Sequence, residues 1–162
     1  RVIAIEDTDT FESLHDKLMV LGGEAIVEAL ELLETGALLP EKQDDSMSCH
    51  AKLITKEMGN VDFNHSAVVI NRLVRGLNPW PSAYTFYKGK QLKIWETLVE
   101  DTQTDLEPGT IAEVTKTAIK VACKEGILNI LSLQLEGKKI MSTHDFLLGV
   151  KVQPGEKFSS EK

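Results

Sequence analysis

The stretch Arg75-Gly76-Leu77-Asn78-Pro79-Trp80-Pro81-Ser82-Ala83-Tyr84 separates two hydrophobic patterns. Upstream of it, with Asn64 or Ser66 as the cap, apolar residues recur at helical spacing: Ala67, Ile70, Leu73, Val74 and Leu77. Downstream of it, apolar and polar residues alternate with the period of two that is typical of β-strands. A helix followed by a run of strands predicts an α+β fold, with the proline-rich stretch as the joint between them.

Two prolines flank Trp80 and restrict the backbone on both sides of it. We interpret this segment as a rigid hinge whose indole packs against the core, because most isolated tryptophans are largely buried. An exposed indole available for stacking on a nucleic-acid base is the alternative interpretation.

Five candidate strands follow the joint, separated by turns that contain glycine: Ala83–Tyr87, Leu92–Leu98, Gly109–Val114, Ala118–Ala122 and Ile127–Leu135. Five short antiparallel strands predict a small, partly open barrel of the OB type, a fold that often binds nucleic acid on one face. A β-sandwich is the alternative. Ser142 to Leu148 predicts a short capped helix, and the residues from Lys151 onward predict a strand or a frayed tail.

Upstream of the joint, an apolar stripe at helical spacing predicts a helix from about Thr10 to Thr35, with Thr8 or Thr10 as its cap and Gly36 as its stop. Gly22-Gly23 in its middle predicts a kink or a break. Residues 37–60 lose this periodicity and read as a linker, which divides the chain into residues 1–36, the linker, and a domain over residues 61–162.

The charge is distributed unevenly along a chain of 162 residues with a net charge of −7. Residues 1–63 hold 5 basic and 14 acidic side chains, whereas residues 64–162 hold 13 basic and 11 acidic ones. An acidic first third beside a nearly neutral remainder hints at an interaction surface in the second part. No run of about 18 apolar residues and no signal peptide is visible, so the sequence predicts a cytoplasmic protein without membrane contact.

Five segments, in order and at similar spacing, resemble the methionyl-tRNA formyltransferases: Val61-Asp62-Phe63, Asn78-Pro79-Trp80-Pro81-Ser82-Ala83, Lys93-Ile94-Trp95, Pro108-Gly109-Thr110-Ile111 and Leu133-Gln134-Leu135-Glu136-Gly137-Lys138-Lys139-Ile140-Met141. The family typically has Trp, Gly and Pro where this chain has Phe63, Ser82 and Leu135. The similarity continues upstream through Glu6-Asp7-Thr8 and Leu14 to Leu18, so that it covers nearly the whole chain.

The resemblance implies an enzyme that transfers a formyl group from 10-formyltetrahydrofolate to the methionyl amino group of initiator tRNA. It implies that residues 1–36 are the last strand and helix of a Rossmann-like catalytic domain and that the predicted OB-like barrel binds tRNA. The family's catalytic Asn, His and Asp contexts do not occur here. We therefore expect this chain to bind tRNA, to contain no catalytic, cofactor-binding or metal-binding residues, and to be inactive alone. We expect the parent enzyme to be monomeric, and this chain to associate through an exposed face of the helix over residues 10–35.

Lys138 and Lys139, after the turn residue Gly137, are the best local candidates for contact with phosphate. The family's Ile-Thr-Lys matches Ile54-Thr55-Lys56 and places a linker contact on Lys56, whereas the lysine before it is displaced by one position here. The further candidates lie on the helix before the joint and around the first hairpin: Arg72, Arg75, Lys88, Lys90 and Lys93. With Lys116, Lys120 and Lys124 of the third hairpin, we predict that they form a basic stripe.

Two other classes of protein fit parts of the sequence. One is a related formyltransferase or hydrolase that uses formyltetrahydrofolate or a sugar nucleotide, although the segment from Leu133 to Met141 resembles the tRNA enzyme. The other is a free-standing OB-type binding module, which has no evident need for the helix of residues 10–35. No Gly-x-Ser-x-Gly or catalytic cysteine context is present, and the adjacent Cys49-His50 has no third metal ligand nearby.

Overall fold

The computed structural model describes residues 1–161 and divides the chain into two compact units, residues 1–54 and the remainder from Thr55 onward. The unit boundary falls within the predicted linker of residues 37–60. Across the described residues, no helix has the length and apolar character that a membrane crossing requires.

The first unit is built on helix α1 (Phe11–Glu34). Thr10 caps it, because its hydroxyl oxygen accepts a hydrogen bond from the Ser13 amide at 3.2 Å while the Ser13 hydroxyl accepts one from the Thr10 amide at 3.0 Å. The helix runs without interruption through Gly22-Gly23, so the predicted break is wrong: glycine lowers helix propensity but keeps its backbone N–H donor. Residues 1–9 form no strand, because a strand needs a partner and this unit offers none among the described residues.

As far as residue 161, the second unit contains two helices, six strands and a short 3₁₀ turn (Lys56–Gly59): α2 (Ala67–Gly76), β1 (Ala83–Tyr87), β2 (Lys90–Glu100), β3 (Ile111–Val114), β4 (Ile119–Ala122), β5 (Ile127–Leu135), β6 (Met141–Ser142) and α3 (Thr143–Gly149). Ser66 caps α2 and Ser142 caps α3 through their hydroxyl oxygens. The α+β class is confirmed. The predicted number of five strands is wrong, since β6 adds a sixth that is too short to show any periodicity in sequence.

All strand pairs in the sheet are antiparallel, in the order β1-β2-β5-β4-β3, and β6 pairs with β5. The hydrophobic core lies on one face of this sheet and is closed by α2, whose Ala67, Ile70 and Val74 are buried. The largest fully buried side chains come from α2 and from the strands, where they alternate along each regularly paired stretch: Ile70, Leu92, Ile94, Ile111, Ile119, Leu128, Ile130 and Leu133. A register shift between β2 and β5 separates Ile130 from Leu133. This alternation fixes which side chains of β1, β2 and β5 face outward.

The C-terminal segment (residues 152–161) is neither the predicted strand nor a frayed tail. Ser159 exchanges backbone hydrogen bonds with Phe86 of β1, and Lys157 forms a bridge with Thr110 just before β3. Val152 and Phe158 are buried in the core. The segment therefore links the two outer strands of the sheet, and its pairing is too short to show as periodicity in the sequence.

The joint between α2 and β1 also differs from expectation. Asn78–Pro79 and Trp80–Pro81 are both cis peptide bonds, and Pro81 is buried. The indole of Trp80 is 58% exposed, so the interpretation that it packs against the core is wrong. Pro81, and not Trp80, is buried in this joint.

Candidate nucleic-acid interface

Three neighbouring strands place a row of polar and aromatic side chains on the outer face of the sheet. Tyr84 of β1 lies directly opposite Lys93 of β2, and Lys93 lies directly opposite Gln134 of β5. Opposed residues of antiparallel strands share one face, and the residues flanking Lys93, Leu92 and Ile94, are buried on the other face. The row is therefore fixed by the same alternation that builds the core.

The 3₁₀ turn Lys56–Gly59 extends the row beyond β1. The Val61 amide donates to the Tyr84 carbonyl at 2.8 Å, and Asn60 pairs with Tyr84 in a parallel bridge. Gly59 allows this close approach: a Cβ there would lie 2.3 Å from the Ser82 carbonyl oxygen. The packing brings the turn that begins at the exposed Lys56 alongside Tyr84.

The turn after β5 extends the row at its other end. The Gln134 side-chain amide donates to the Lys138 carbonyl at 2.8 Å, and the Lys138 amide donates to the Leu135 carbonyl at 2.9 Å. Lys138 and Lys139 are both exposed on this turn. We name the whole set the cross-strand row, and it consists of Lys56, Tyr84, Lys93, Gln134, Lys138 and Lys139.

The four lysines of the cross-strand row are available to an anionic ligand. Within residues 1–161, none of their ammonium groups forms an ion pair with a carboxylate. The Lys93 ammonium lies 6.0 Å from the centroid of the Trp95 ring, at the outer limit of a cation–π contact. Two exposed carboxylates share this surface, because Glu57 lies in the 3₁₀ turn and Glu136 accepts a hydrogen bond from the backbone N–H of Gln91 at 3.3 Å.

Other predicted cations lie outside the row. The Lys88 ammonium contacts Glu156 at 2.8 Å, and this hydrogen bond raises the pKa of Lys88. Lys120 binds both Glu113 and Glu100, at 2.9 and 3.1 Å. Carboxylates within the unit thus already neutralise two lysines of the predicted stripe.

The remaining candidates occupy two further places. Lys90 is exposed at the start of β2. Arg72 and Arg75 lie on α2, where the Arg75 guanidinium donates to the Asn71 side-chain oxygen at 3.2 Å. The Asn71 amide in turn donates to the Thr97 hydroxyl at 2.9 Å, which ties this arginine to the far half of β2.

Two aromatic side chains on the outer face are absent from the sequence-based candidates. Tyr84 and Phe86 project from β1 on the same side as Lys93, with ring centroids 5.8 Å apart in an edge-to-face arrangement. Both rings are partly exposed. The sequence signal for these rings is the alternation along β1. Ala83, Thr85 and Tyr87 are buried on one face, which places Tyr84 and Phe86 on the other.

Within residues 1–161, two histidines contact nearby polar groups. His144 contacts the Lys116 carbonyl at 3.0 Å, and His15 contacts Asp16 at 3.1 Å. Burial raises the pKa of the Cys123 thiol to about 12, which keeps it protonated and unreactive. Over the part of the chain that the structure describes, no three or more His, Cys, Asp or Glu side chains are grouped so that they could hold a metal ion.

The chain is similar to known proteins over most of its length. The family model for the formyl transferase C-terminal domain matches residues 53–151. The methionyl-tRNA formyltransferase of Caldanaerobacter subterraneus subsp. tengcongensis is 44% identical over 155 residues, covering 96% of this chain and 50% of that protein. The enzyme of the same name from Geobacter sulfurreducens is 45% identical over 155 residues, covering 96% and 48%. This chain thus spans about half the length of the curated relatives it matches.

Solved structures of other proteins have a fold similar to that of this chain. HypX from Aquifex aeolicus superimposes with a TM-score of 0.57 at 21% sequence identity, covering 81% of this chain and 24% of that one. A second HypX structure, in complex with tetrahydrofolic acid, superimposes with a TM-score of 0.56 at 21% identity, covering the same shares of the two chains. At this identity the match describes the fold alone.

Proposed function

The chain belongs to the formyl transferase C-terminal domain family, and from that premise we propose that it supplies the tRNA-binding part of a methionyl-tRNA formyltransferase. The parent enzyme transfers a formyl group from 10-formyltetrahydrofolate to the methionyl amino group of initiator tRNA and acts in translation initiation in the cytoplasm. This chain contributes binding only, because it lacks the family's catalytic Asn, His and Asp contexts. The proposal rests on the near-complete coverage of this chain by relatives that carry this name.

We propose the following division of labour along the chain. Residues 1–36 are the end of a Rossmann-like catalytic domain, residues 37–60 are the linker, and residues 61–162 are a helix followed by an OB-like barrel. Two observations support this division. Among the described residues, none in α1 is buried, which is expected of a helix whose packing partner lies elsewhere. In addition, the C-terminal segment joins the two outer strands of the sheet, as barrel closure requires.

The cross-strand row is the observation that carries the RNA-binding proposal. Lysines without carboxylate partners stand at both ends and in the middle of the row, with a tyrosine and a glutamine between them. Neighbouring strands are about 4.8 Å apart, so the row presents charge over several strand widths. Phosphate groups supply most of the affinity in nucleic-acid binding, and aromatic side chains add stacking on bases.

The other predicted cations remain candidate RNA contacts outside the row. Lys90 begins β2, whereas Arg72 and Arg75 lie on α2, the helix that closes the core on the other face of the sheet. Lys88 contributes less, since its ammonium is already paired with Glu156.

A comparison of two double charge reversals tests the proposal. We expect Lys138→Glu/Lys139→Glu to weaken binding of initiator tRNA and to reduce the magnitude of the salt slope by about 2, one unit per lost phosphate contact. The matched control is Lys42→Glu/Lys151→Glu, which changes the net charge equally at two exposed lysines outside the predicted stripe. Equal losses in the two variants would show that binding follows net charge and not the cross-strand row. Absence of tRNA binding by the unaltered chain would favour a related formyltransferase that does not act on tRNA.

A further inference from the structure

We infer that the outer face of β1, β2 and β5 holds a subsite for one unpaired nucleotide of the RNA, with preference for an adenine base. This inference rests on the proposed RNA-binding function and deepens it, because it assigns a base-reading role to side chains that lie beside the lysines. The geometry that carries it is a small cavity with side-chain amides on two neighbouring strands.

The cavity opens between β2 and the turn that follows β5. Its volume is ≈ 180 Å³, and its lining residues are Gln91, Lys93, Gln134, Leu135, Glu136 and Gly137. Pockets for drug-sized ligands begin at about 300 Å³, so this cavity suits a single planar ring system. Leu135 supplies an apolar surface, and the other side chains in the lining are polar.

The amide groups in the cavity match the edge of an adenine. The Gln91 side chain makes no hydrogen bond with any described residue, so its donor and its acceptor are both available. Glutamine can pair with adenine through two hydrogen bonds, accepting from N6 and donating to N7. Gln134 donates to the Lys138 carbonyl, which orients its amide and leaves its oxygen as a further acceptor.

The charges in the lining determine which part of a nucleotide enters the cavity. The Glu136 carboxylate repels a phosphate and favours a base edge that carries an amino group. The Lys93 ammonium, which forms no ion pair, stands beside it and attracts the phosphate of the same nucleotide or its neighbour. The base therefore points toward β5, and the backbone runs along the cross-strand row.

The aromatic side chains of β1 line the other side of Gln91 and Lys93. Phe86 lies opposite Gln91, and Tyr84 lies opposite Lys93. Each is partly exposed on the outer face, where it can contact the face of the bound base or of the next one. A base inside an RNA duplex has its faces stacked and its N6/N7 edge in a deep, narrow groove that side chains cannot reach, so the subsite selects an unpaired nucleotide.

The test compares short RNA oligonucleotides by fluorescence anisotropy with the whole chain. We expect a single-stranded oligo(A) of five nucleotides to bind roughly tenfold more tightly than oligo(U) of the same length, the discrimination of one bidentate contact. We expect Gln91→Ala to remove this preference while the salt slope for tRNA stays unchanged. The matched control, Gln103→Ala in an exposed loop, keeps the preference.

Three results overturn the inference. One is equal affinity of the chain for oligo(A) and oligo(U), and another is a preference for an RNA duplex over both. The third is an adenine preference that survives in Gln91→Ala. If tRNA still binds with a steep salt slope in these cases, the proposed function stands and only the base subsite fails. Should Gln91→Ala fail to fold, Gln91→Glu replaces it, because the carboxylate cannot donate to adenine N7 but keeps the size of the side chain.

Discussion

Glu156 joins three parts of the chain through one carboxylate. One of its oxygens accepts hydrogen bonds from the Tyr87 hydroxyl at 2.5 Å and from the Gln153 amide at 3.1 Å, and the other contacts the Lys88 ammonium at 2.8 Å. The hydrogen bond from Lys88, followed by those from Tyr87 and Gln153, lowers the pKa of Glu156 to about 2. The ionised carboxylate thus fastens the C-terminal segment to the turn between β1 and β2.

This linkage predicts a pH-dependent stability. Because the pKa of Glu156 is lower in the folded chain than its ordinary value of 4.5, its contribution is complete above that value and is lost as the pH falls toward 2. We expect Glu156→Gln to lower the melting temperature at pH 7, and the difference from the unaltered chain to close as the pH approaches 2. Thermal unfolding followed by circular dichroism over this pH range measures it.

The control for this prediction is Glu107→Gln, which removes a carboxylate that contacts Lys157 at 2.8 Å but is 82% exposed. An exposed ion pair contributes little, so its effect should be the smaller one. Equal melting temperatures of Glu156→Gln and the unaltered chain at pH 7 would contradict a stabilising role for Glu156.

Single residues were the hardest features to predict from the sequence. Lys88 is a predicted RNA contact, and its carboxylate partner lies 68 positions away in a segment whose fold the sequence does not indicate. Trp80 was expected in the core, but the joint places it outside. Both outcomes depend on tertiary contacts, which local periodicity does not encode.

At the scale of elements, the C-terminal segment contributes to the core through Phe158. Its ring is 2% exposed and packs against Phe63 and Tyr87, with centroids 6.2 and 5.4 Å apart. The backbone on either side of it is hydrogen bonded to the start of β3 and to β1. The segment therefore acts as part of the sheet although it is not a regular strand.

We expect Phe158→Ala to lower the free energy of unfolding by about 3–5 kcal/mol, the usual cost of emptying a buried phenylalanine site. Urea denaturation measures this change. Ser160→Ala, two residues further along and exposed, is the control and should change the free energy by less than about 0.5 kcal/mol. A change below about 1 kcal/mol for Phe158→Ala would mean that the C-terminal segment is dispensable.

Helix α1 leads to a prediction about association. Ile26, Leu30 and Leu33 lie on one face of the helix, and each is more than half exposed. Exposed apolar surface of this kind favours contact between chains. We expect light scattering to give a mass above that of one chain at high concentration, and Leu30→Lys to restore the monomer.

Glu31→Lys, on the opposite face of α1, serves as the control and should leave the association unchanged. A monomeric mass for the unaltered chain at every concentration would contradict the prediction.

Regular elements were the best predicted features. The bounds of β1 and β5 agree with the sequence prediction, because turn residues delimit each run of alternating apolar residues. The sequence offers Asn64 or Ser66 as the cap of α2, and Ser66 is the residue that caps the helix. The two-residue strand β6 and the bridges of the C-terminal segment escaped prediction, since neither is long enough to show a period.

At the scale of the whole molecule, the candidate interface depends on folding. Lys93 lies 37 positions after Lys56, and Lys138 lies 45 positions after Lys93. Only the strand order β1-β2-β5 brings these lysines into one row. The sequence indicated that lysine and arginine were the residue types to examine. It also predicted a basic stripe in the second part of the chain. The sequence could not indicate which lysines form ion pairs with carboxylates. Those ion pairs, such as the one between Lys120 and Glu100, also join residues on different strands.

The central claim is that this chain binds tRNA through the cross-strand row. Its most direct test is a titration of the chain with initiator tRNA at a series of salt concentrations. Four lysines that contact phosphates predict that the logarithm of the association constant falls with the logarithm of salt concentration at a slope of about −3 or steeper. A slope near zero, or no binding even at low salt, would contradict the claim.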